Sequence, residues 1–124
     1  MNRRDHAVLI VSRFCTFIEC NTEKRVLVER VAKLLGVSSR SLHNYCQRHL
    51  GMSPKRYLDM RRMSHARQAL LDSEGNVTVI ATRFKFDGPG RFSAQYRMMF
   101  GETPSMTIRR GRPTVVAIES EHSV

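Results

Sequence analysis

The segment Gly51-Met52-Ser53-Pro54 returns fifty positions later as Gly101-Glu102-Thr103-Pro104. Glycine closes a helix by taking a left-handed backbone, and a Ser or Thr cap with proline in the first turn opens the next one. Each copy therefore spells a helix stop and a helix start. The match runs backwards at the same offset and pairs Leu50 with Phe100, Cys46 with Tyr96 and Leu42 with Phe92, all apolar and all at helical spacing. Upstream of these, Val31-Ala32 pairs with Ile80-Ala81 and Ser38 with Asp87 at an offset of 49, so the second copy has gained one residue in its turn. A chain punctuated twice in this way folds as two copies of one helical unit.

The rest of the sequence is helical grammar as well. Residues 5 to 20 bring Val8, Leu9, Val11, Phe14, Phe17 and Ile18 mainly to one side of a first helix. Val26 to Leu35 form a second, with Val28, Val31, Ala32 and Leu35 inward; Gly36 stops it and Ser38 caps a third. Ser53-Pro54 opens a long fourth helix to about Asp72, on which Met60, Met63, Ala66 and Leu70 share one arc. At about 1.5 Å per residue it is a rod of roughly 28 Å. Asn76 caps a fifth helix through Phe84, Asp87 or Gly88 starts a sixth through Phe100, and Thr103-Pro104 starts a short seventh. The fold class expected is all-α, with seven helices. Its parts are a first helix-turn-helix subdomain at 5–52, a linker helix at 53–72, a second helix-turn-helix subdomain at 73–110 and a frayed tail at 111–124.

Charge narrows what such a chain can bind. Of its 124 residues, 21 are Lys or Arg and 11 are Asp or Glu, a net charge of +10. Residues 113–124 hold two Glu and no Lys or Arg, which leaves 21 basic and 9 acidic side chains, or +12, on residues 1–112. A field of that size attracts nucleic acid, anionic membranes or acidic proteins. Arg outnumbers Lys 17 to 4, and the planar Arg fork matches phosphate and guanine edges, so nucleic acid is the favoured partner. The apolar run from Ala7 to Phe14 is too short to span a bilayer and lacks a signal-peptide pattern. Three cysteines, Cys15, Cys20 and Cys46, form no C-x-x-C pair, so neither a disulfide framework nor a zinc ribbon follows. Cys46 and His49 are spaced as half of a metal site but have no second pair to complete it, and no metal or cofactor is expected. A cytosolic setting follows from reduced, mostly buried thiols.

The third helix carries the sharpest chemistry. At 100° per residue Leu42, Tyr45, Cys46 and His49 fall on one side, and Arg40, His43, Asn44 and Gln47 on the other. Arg forks onto guanine, Asn and Gln pair with adenine, and all four polar residues lie in the first three turns, the part of a recognition helix that enters a major groove. The sixth helix has the same build and a poorer face. Phe92, Tyr96, Met99 and Phe100 turn inward, while Gly90, Ser93, Ala94 and Arg97 face outward with Arg91 on the flank. Arg91 and Arg97 suit phosphates, Ser93 a phosphate or base edge, and Ala94 a thymine methyl. Asp87-Gly88-Pro89-Gly90 lacks the Lys-Ser/Thr of a nucleotide loop and follows no strand.

Over residues 5 to 110 the chain resembles the DNA-binding domain of AraC/XylS-type bacterial transcription regulators. In the first copy Val31-Ala32, Gly36, Ser38, Leu42, Gly51, Ser53-Pro54, Tyr57-Leu58, Arg61, Ala66 and Leu70-Leu71 look like that family's pattern. In the second, Ile80-Ala81, Phe86, Phe92, Tyr96, Arg97, Phe100-Gly101, Thr103-Pro104 and Arg109 do so. The resemblance implies seven helices, the fourth joining two helix-turn-helix units whose third and sixth helices enter successive major grooves on one side of DNA. It places base readers at Arg40, His43, Asn44 and Gln47, and at Pro89, Gly90, Arg91, Ser93, Ala94 and Arg97. Ser38, Arg48, Lys85 and Arg97 are the expected phosphate contacts. A monomer suffices, because the duplication lies within the chain. RNA polymerase is a further expected partner, no membrane is involved, and the setting is the bacterial cytoplasm at the nucleoid.

Two departures from the pattern stand in the second copy. Lys85 occupies the turn position where the family has Gly, so it must accept positive φ at a cost or the turn must change shape. Pro89-Gly90 stand where the family often has side chains that reach bases, so the first unit is expected to supply most discrimination. Other readings remain: a DNA-binding fragment of a longer ligand-responsive regulator, or a degenerate helix-turn-helix that binds protein. Paired catalytic carboxylates, a nucleophile with a His partner and a P-loop are all missing from the sequence, so no enzyme is expected.

Overall fold

The computed structural model describes residues 2–111. Of the tail expected at 111–124, only Gly111 lies within them. The described residues form α1 (Arg3–Glu19), α2 (Val28–Leu34), α3 (Ser39–Leu50), α4 (Pro54–Leu71), α5 (Val77–Arg83), α6 (Pro89–Phe100) and α7 (104–111). The fold is all-α. The described residues divide into two compact units, with the boundary inside α4 between Arg62 and Met63.

α1, α3, α4, α5 and α7 start where a side chain satisfies a free N–H group of the first turn. Asn2 Oδ1 accepts from the Asp5 N–H at 2.8 Å, Ser38 Oγ from Ser41 at 3.0 Å and Asn76 Oδ1 from Val79 at 2.9 Å. The repeated segment behaves alike in both copies. Ser53 Oγ accepts from the Arg56 N–H at 3.2 Å and Thr103 Oγ1 from Met106 at 3.3 Å, with Pro54 and Pro104 buried. Ahead of them Gly51 and Gly101, at φ 73° and 74°, donate to the Gln47 and Arg97 carbonyls at 3.1 and 2.9 Å. α2 begins two residues later than expected, because the chain stays extended through Leu27, its N-cap.

In the first unit Phe14 and Ile18 of α1, Val31 of α2, Leu42 and Cys46 of α3 and Leu58 of α4 close one core. Phe14, Leu42 and Leu58 are fully buried, each worth about 1.5–3 kcal/mol in apolar area removed from water. The buried stripe of α1 is Ala7, Ile10, Val11, Phe14 and Ile18. It is turned slightly from the stripe expected: Val8 is 48% exposed and Leu9 and Phe17 are half-buried. The spacing 7, 11, 14, 18 keeps a single line on a 3.6-residue helix, and Val8 lies beside it. Polar ties close the unit. Arg61 pairs with Glu19 at 2.5 Å, and the buried Arg62 guanidinium donates to the Lys24 carbonyl, so the end of α1 and the loop after it are fixed to α4.

In the second unit Met63, Ala66 and Leu70 of α4 pack with Ile80, Phe84, Phe92 and Tyr96. Ring centroids of Phe86 and Phe92, Phe92 and Tyr96, and Tyr96 and Phe100 lie 4.9, 5.6 and 4.7 Å apart in tilted pairs. The Tyr96 hydroxyl meets Thr107 Oγ1 at 2.6 Å, Thr107 donates in turn to the Glu102 carboxylate, and Arg110 pairs with Glu102 at 2.5 Å. Thr107 has one proton and Glu102 only accepts, so Tyr96 is the donor to Thr107. This chain of bonds fastens α7 to α6.

Both helix-turn-helix turns are built the same way. In the first, Gly36 donates to the Lys33 carbonyl at 3.1 Å and Val37 to Ala32 at 3.0 Å; in the second, Lys85 donates to Thr82 at 3.1 Å and Phe86 to Ala81 at 2.9 Å. Those paired bonds are the Schellman pattern. Lys85 accepts the left-handed backbone, at φ 66°, and the turn keeps its shape.

Candidate nucleic-acid interface

α3 is amphipathic in the sense that matters for reading DNA. Leu42 and Cys46 are fully buried and Tyr45 half-buried, which fixes the rotation of the helix, while Arg40, His43, Asn44 and Gln47 are all exposed on its other side. Among the described residues none of these four is held in an ion pair, so their donors and acceptors are available to a partner. His49 departs from expectation. It shares an azimuth with Leu42 but is exposed in the last turn, where Leu50 packs against the core instead. Cys46 is fully buried, and burial, and after it the neighbouring Cys15, pushes its thiol up to about 11.

Ser38 is exposed, but its hydroxyl is already engaged: the oxygen caps α3 and the proton goes to Ser41 Oγ at 3.0 Å. Arg48 is exposed on the same helix. A hollow between α2 and the start of α3 is lined by Glu29, Arg30, Lys33, Val37, Ser38 and Ser39. Arg30 and Lys33 thus stand beside the start of α3, with Glu29 in the same hollow. The sequence reading passed over them because they belong to α2, yet their place one and two turns ahead of Ser38 was the available signal.

On α6 the inward residues are Phe92 and Tyr96, both fully buried, with Phe100 half-buried. Met99, expected inward, is 42% exposed and Met98 is 89% exposed, because Phe100 takes the core contacts of the last turn. Arg91, Ala94 and Arg97 are exposed and Ser93 is half-buried. Pro89 and Gly90 are exposed at the start of the helix, and Lys85 is exposed in the turn. Arg91 donates to Asp87 at 3.2 Å, a partnership the sequence reading did not name.

Among the described residues no group of three or more His, Cys, Asp and Glu side chains could hold a metal ion, and no helix is long and apolar enough to cross a membrane. Two tandem helix-turn-helix units, each with a second helix that buries one face and exposes the other, define a double helix-turn-helix DNA-binding module.

Comparison with known proteins narrows that class. A family model described as a helix-turn-helix domain matches residues 31–110. The chain is 40% identical over 106 residues to the XylDLEGF operon transcriptional activator of Pseudomonas putida, covering 83% of this chain and 33% of that protein. It is 33% identical over 106 residues to the HTH-type transcriptional activator RhaS of Salmonella paratyphi B, covering 86% of this chain and 38% of that one. A solved transcriptional regulator with an AraC-type DNA-binding domain, from Chromobacterium violaceum, superposes with a TM-score of 0.79 at 26% identity over 82% of this chain and 91% of that chain. The chain belongs to the AraC/XylS family of DNA-binding transcription regulators. It spans about a third of the length of the curated relatives it matches.

Proposed function

We propose that the chain binds double-stranded DNA sequence-specifically as a monomer, with α3 and α6 entering adjacent major grooves and α3 supplying most of the base discrimination. The observation that carries this reading is the exposed Arg40, His43, Asn44 and Gln47 face, held in one orientation by fully buried Leu42 and Cys46. Arg40 is suited to guanine O6 and N7, Asn44 and Gln47 to adenine N6 and N7, and His43 to an acceptor or donor edge. Ser93 and Ala94 offer α6 a small surface, while Arg48, Lys85 and Arg97, with Arg30 and Lys33, supply phosphate contacts.

Binding then combines a salt-sensitive phosphate contribution with direct readout of about 1–3 kcal/mol for each good bidentate pair. Within a regulator of this family the module would bring the protein to promoter DNA in the cytoplasm, at the nucleoid. Both curated relatives named above are activators by name, which supports activation through RNA polymerase as the role of the full-length protein.

The test compares Arg40→Ala with Arg97→Ala on a panel of single-base site variants. Arg40→Ala is expected to erase a preference of about 5- to 150-fold at one base pair, whereas Arg97→Ala weakens binding to all sequences and lowers the salt slope by about 0.9. Greater relaxation of base preference by Arg97→Ala contradicts the ranking of the two helices. No binding to duplex DNA at low salt contradicts the DNA reading itself and favours a protein-binding helix-turn-helix.

A further inference from the structure

The matched segments 26–51 and 75–101 each carry one acid, Glu29 in the first turn of α2 and Asp87 ahead of α6. Asp87 is the one that stands at the entrance to the second helix of its helix-turn-helix. An acid placed there repels phosphates and lowers affinity for every DNA sequence alike. Something other than affinity must account for its position.

Stability does not. The Asp87 carboxylate accepts from Arg91 Nη1 at 3.2 Å across one helical turn, and the two side chains are 68% and 69% exposed. An exposed pair of this kind contributes little. Nor does Asp87 cap the helix: the N-cap is Gly88 and α6 has no side-chain cap hydrogen bond, whereas Ser38 at the matching place caps α3. What the carboxylate does is accept one hydrogen bond from a guanidinium. Gly88, Pro89 and Gly90 carry no functional group, and the space where a Cβ would stand on Gly90 is empty to 4 Å. Arg91 is therefore the first long donor of α6, with Asp87 as its recorded partner.

We infer that Asp87 is a specificity-determining residue of the second unit, holding Arg91 in register to fork onto one guanine. A long, free Arg finds a phosphate on any sequence; one restrained by a carboxylate loses less rotamer freedom on docking to a base edge. Asp87 Oδ2 is taken by Arg91, and the other carboxylate oxygen is left to accept from a neighbouring base amino group, with cytosine N4 the best match. The few bases read by the second unit are thereby concentrated on this pair. The inference rests on the DNA-binding reading above.

Competition binding of the whole chain to single-base variants of its selected site, and to random duplex, tests it. Arg91→Ala should cut the guanine preference at one base pair of the second half-site by about tenfold. Asp87→Ala should cut preference at the same base pair by about 3- to 10-fold, and the double variant should lose no more than Arg91→Ala, because the two residues act as one. Asp87→Asn, which keeps an acceptor without the charge, should retain part of the preference. Asp87→Ala should also bind random duplex about 2- to 3-fold more tightly, since a repulsive charge is gone. Preferences in the first half-site should not change. Full retention of the guanine preference in Asp87→Ala, or a loss spread over both half-sites, overturns the inference. Absence of sequence preference in the unmodified chain sinks the DNA reading, and this inference with it.

Discussion

Lys85 stands in the second helix-turn-helix turn as Gly36 stands in the first. Each donates to a carbonyl three residues back at 3.1 Å, from φ 66° and 77° respectively. An L-residue in the left-handed region costs about 1–2 kcal/mol relative to its ordinary conformations, and glycine avoids most of that. Phe86, which follows Lys85, packs against the core of the second unit. The hydrogen bonds and that packing hold the turn in shape despite its lysine.

Lys85→Gly should accordingly stabilise the protein by about 0.5–1 kcal/mol, because relief of the left-handed strain is partly offset by the greater freedom of glycine when unfolded. Thermal denaturation would show it as a rise of a few degrees in midpoint. If Lys85 also neutralises a phosphate, the same variant lowers the slope of log K against log salt by about 0.9. A more stable protein that binds DNA less steeply is the expected combination. An unchanged or lower midpoint contradicts the strain argument.

Glycine matters elsewhere for a different reason. A Cβ on Gly111 would lie 2.5 Å from the Leu71 carbonyl oxygen, whereas a Cβ on Gly90 would meet nothing within 4 Å. Gly111→Ala should destabilise by about 1–3 kcal/mol through overpacking against backbone. Gly90→Ala, in the exposed first turn of α6, should stabilise by up to about 1 kcal/mol through helix propensity. Denaturant midpoints of the two variants should move in opposite directions.

The Glu102 carboxyl is held below its usual value of 4.5, first by the hydrogen bond from Thr107 and then by Arg110. A depressed carboxylate pKa contributes stability that is present above the unfolded value and is lost as pH falls through the folded one. Stability should therefore decline on acidification below about pH 4.5, and Glu102→Gln should flatten that part of the profile. Thr107→Ala should flatten it too and should also leave the buried Tyr96 hydroxyl without its acceptor. Identical acid profiles for the wild type and Glu102→Gln contradict this assignment.

Much of the frame was legible because it is written in local chemistry. The cap residues Ser38, Ser53, Asn76 and Thr103 each accept a first-turn N–H, and Gly36, Gly51 and Gly101 each take positive φ. Helical periodicity was enough to place Arg40, His43, Asn44 and Gln47 opposite Leu42 and Cys46. It failed at helix ends and edges: His49 and Met99 have inward azimuths but are exposed in the last turn, where Leu50 and Phe100 take the core contacts instead, and Val8 sits beside the stripe of α1. Period alone does not say how far along a helix its partner extends. Arg62 was missed for a related reason, since its burial depends on the Lys24 carbonyl, 38 residues away. The Arg91 and Asp87 pair was within reach of spacing and charge alone, with the acid four residues before the Arg, just ahead of the N-cap of α6.

The most direct test of the central claim is selection of bound sequences from a random duplex pool by the whole chain. The account predicts an asymmetric site of about two helical turns, strongly constrained in the half read by α3 and constrained at one or two base pairs in the half read by α6. A palindromic site, equal constraint in both halves, or no enrichment at all would contradict it.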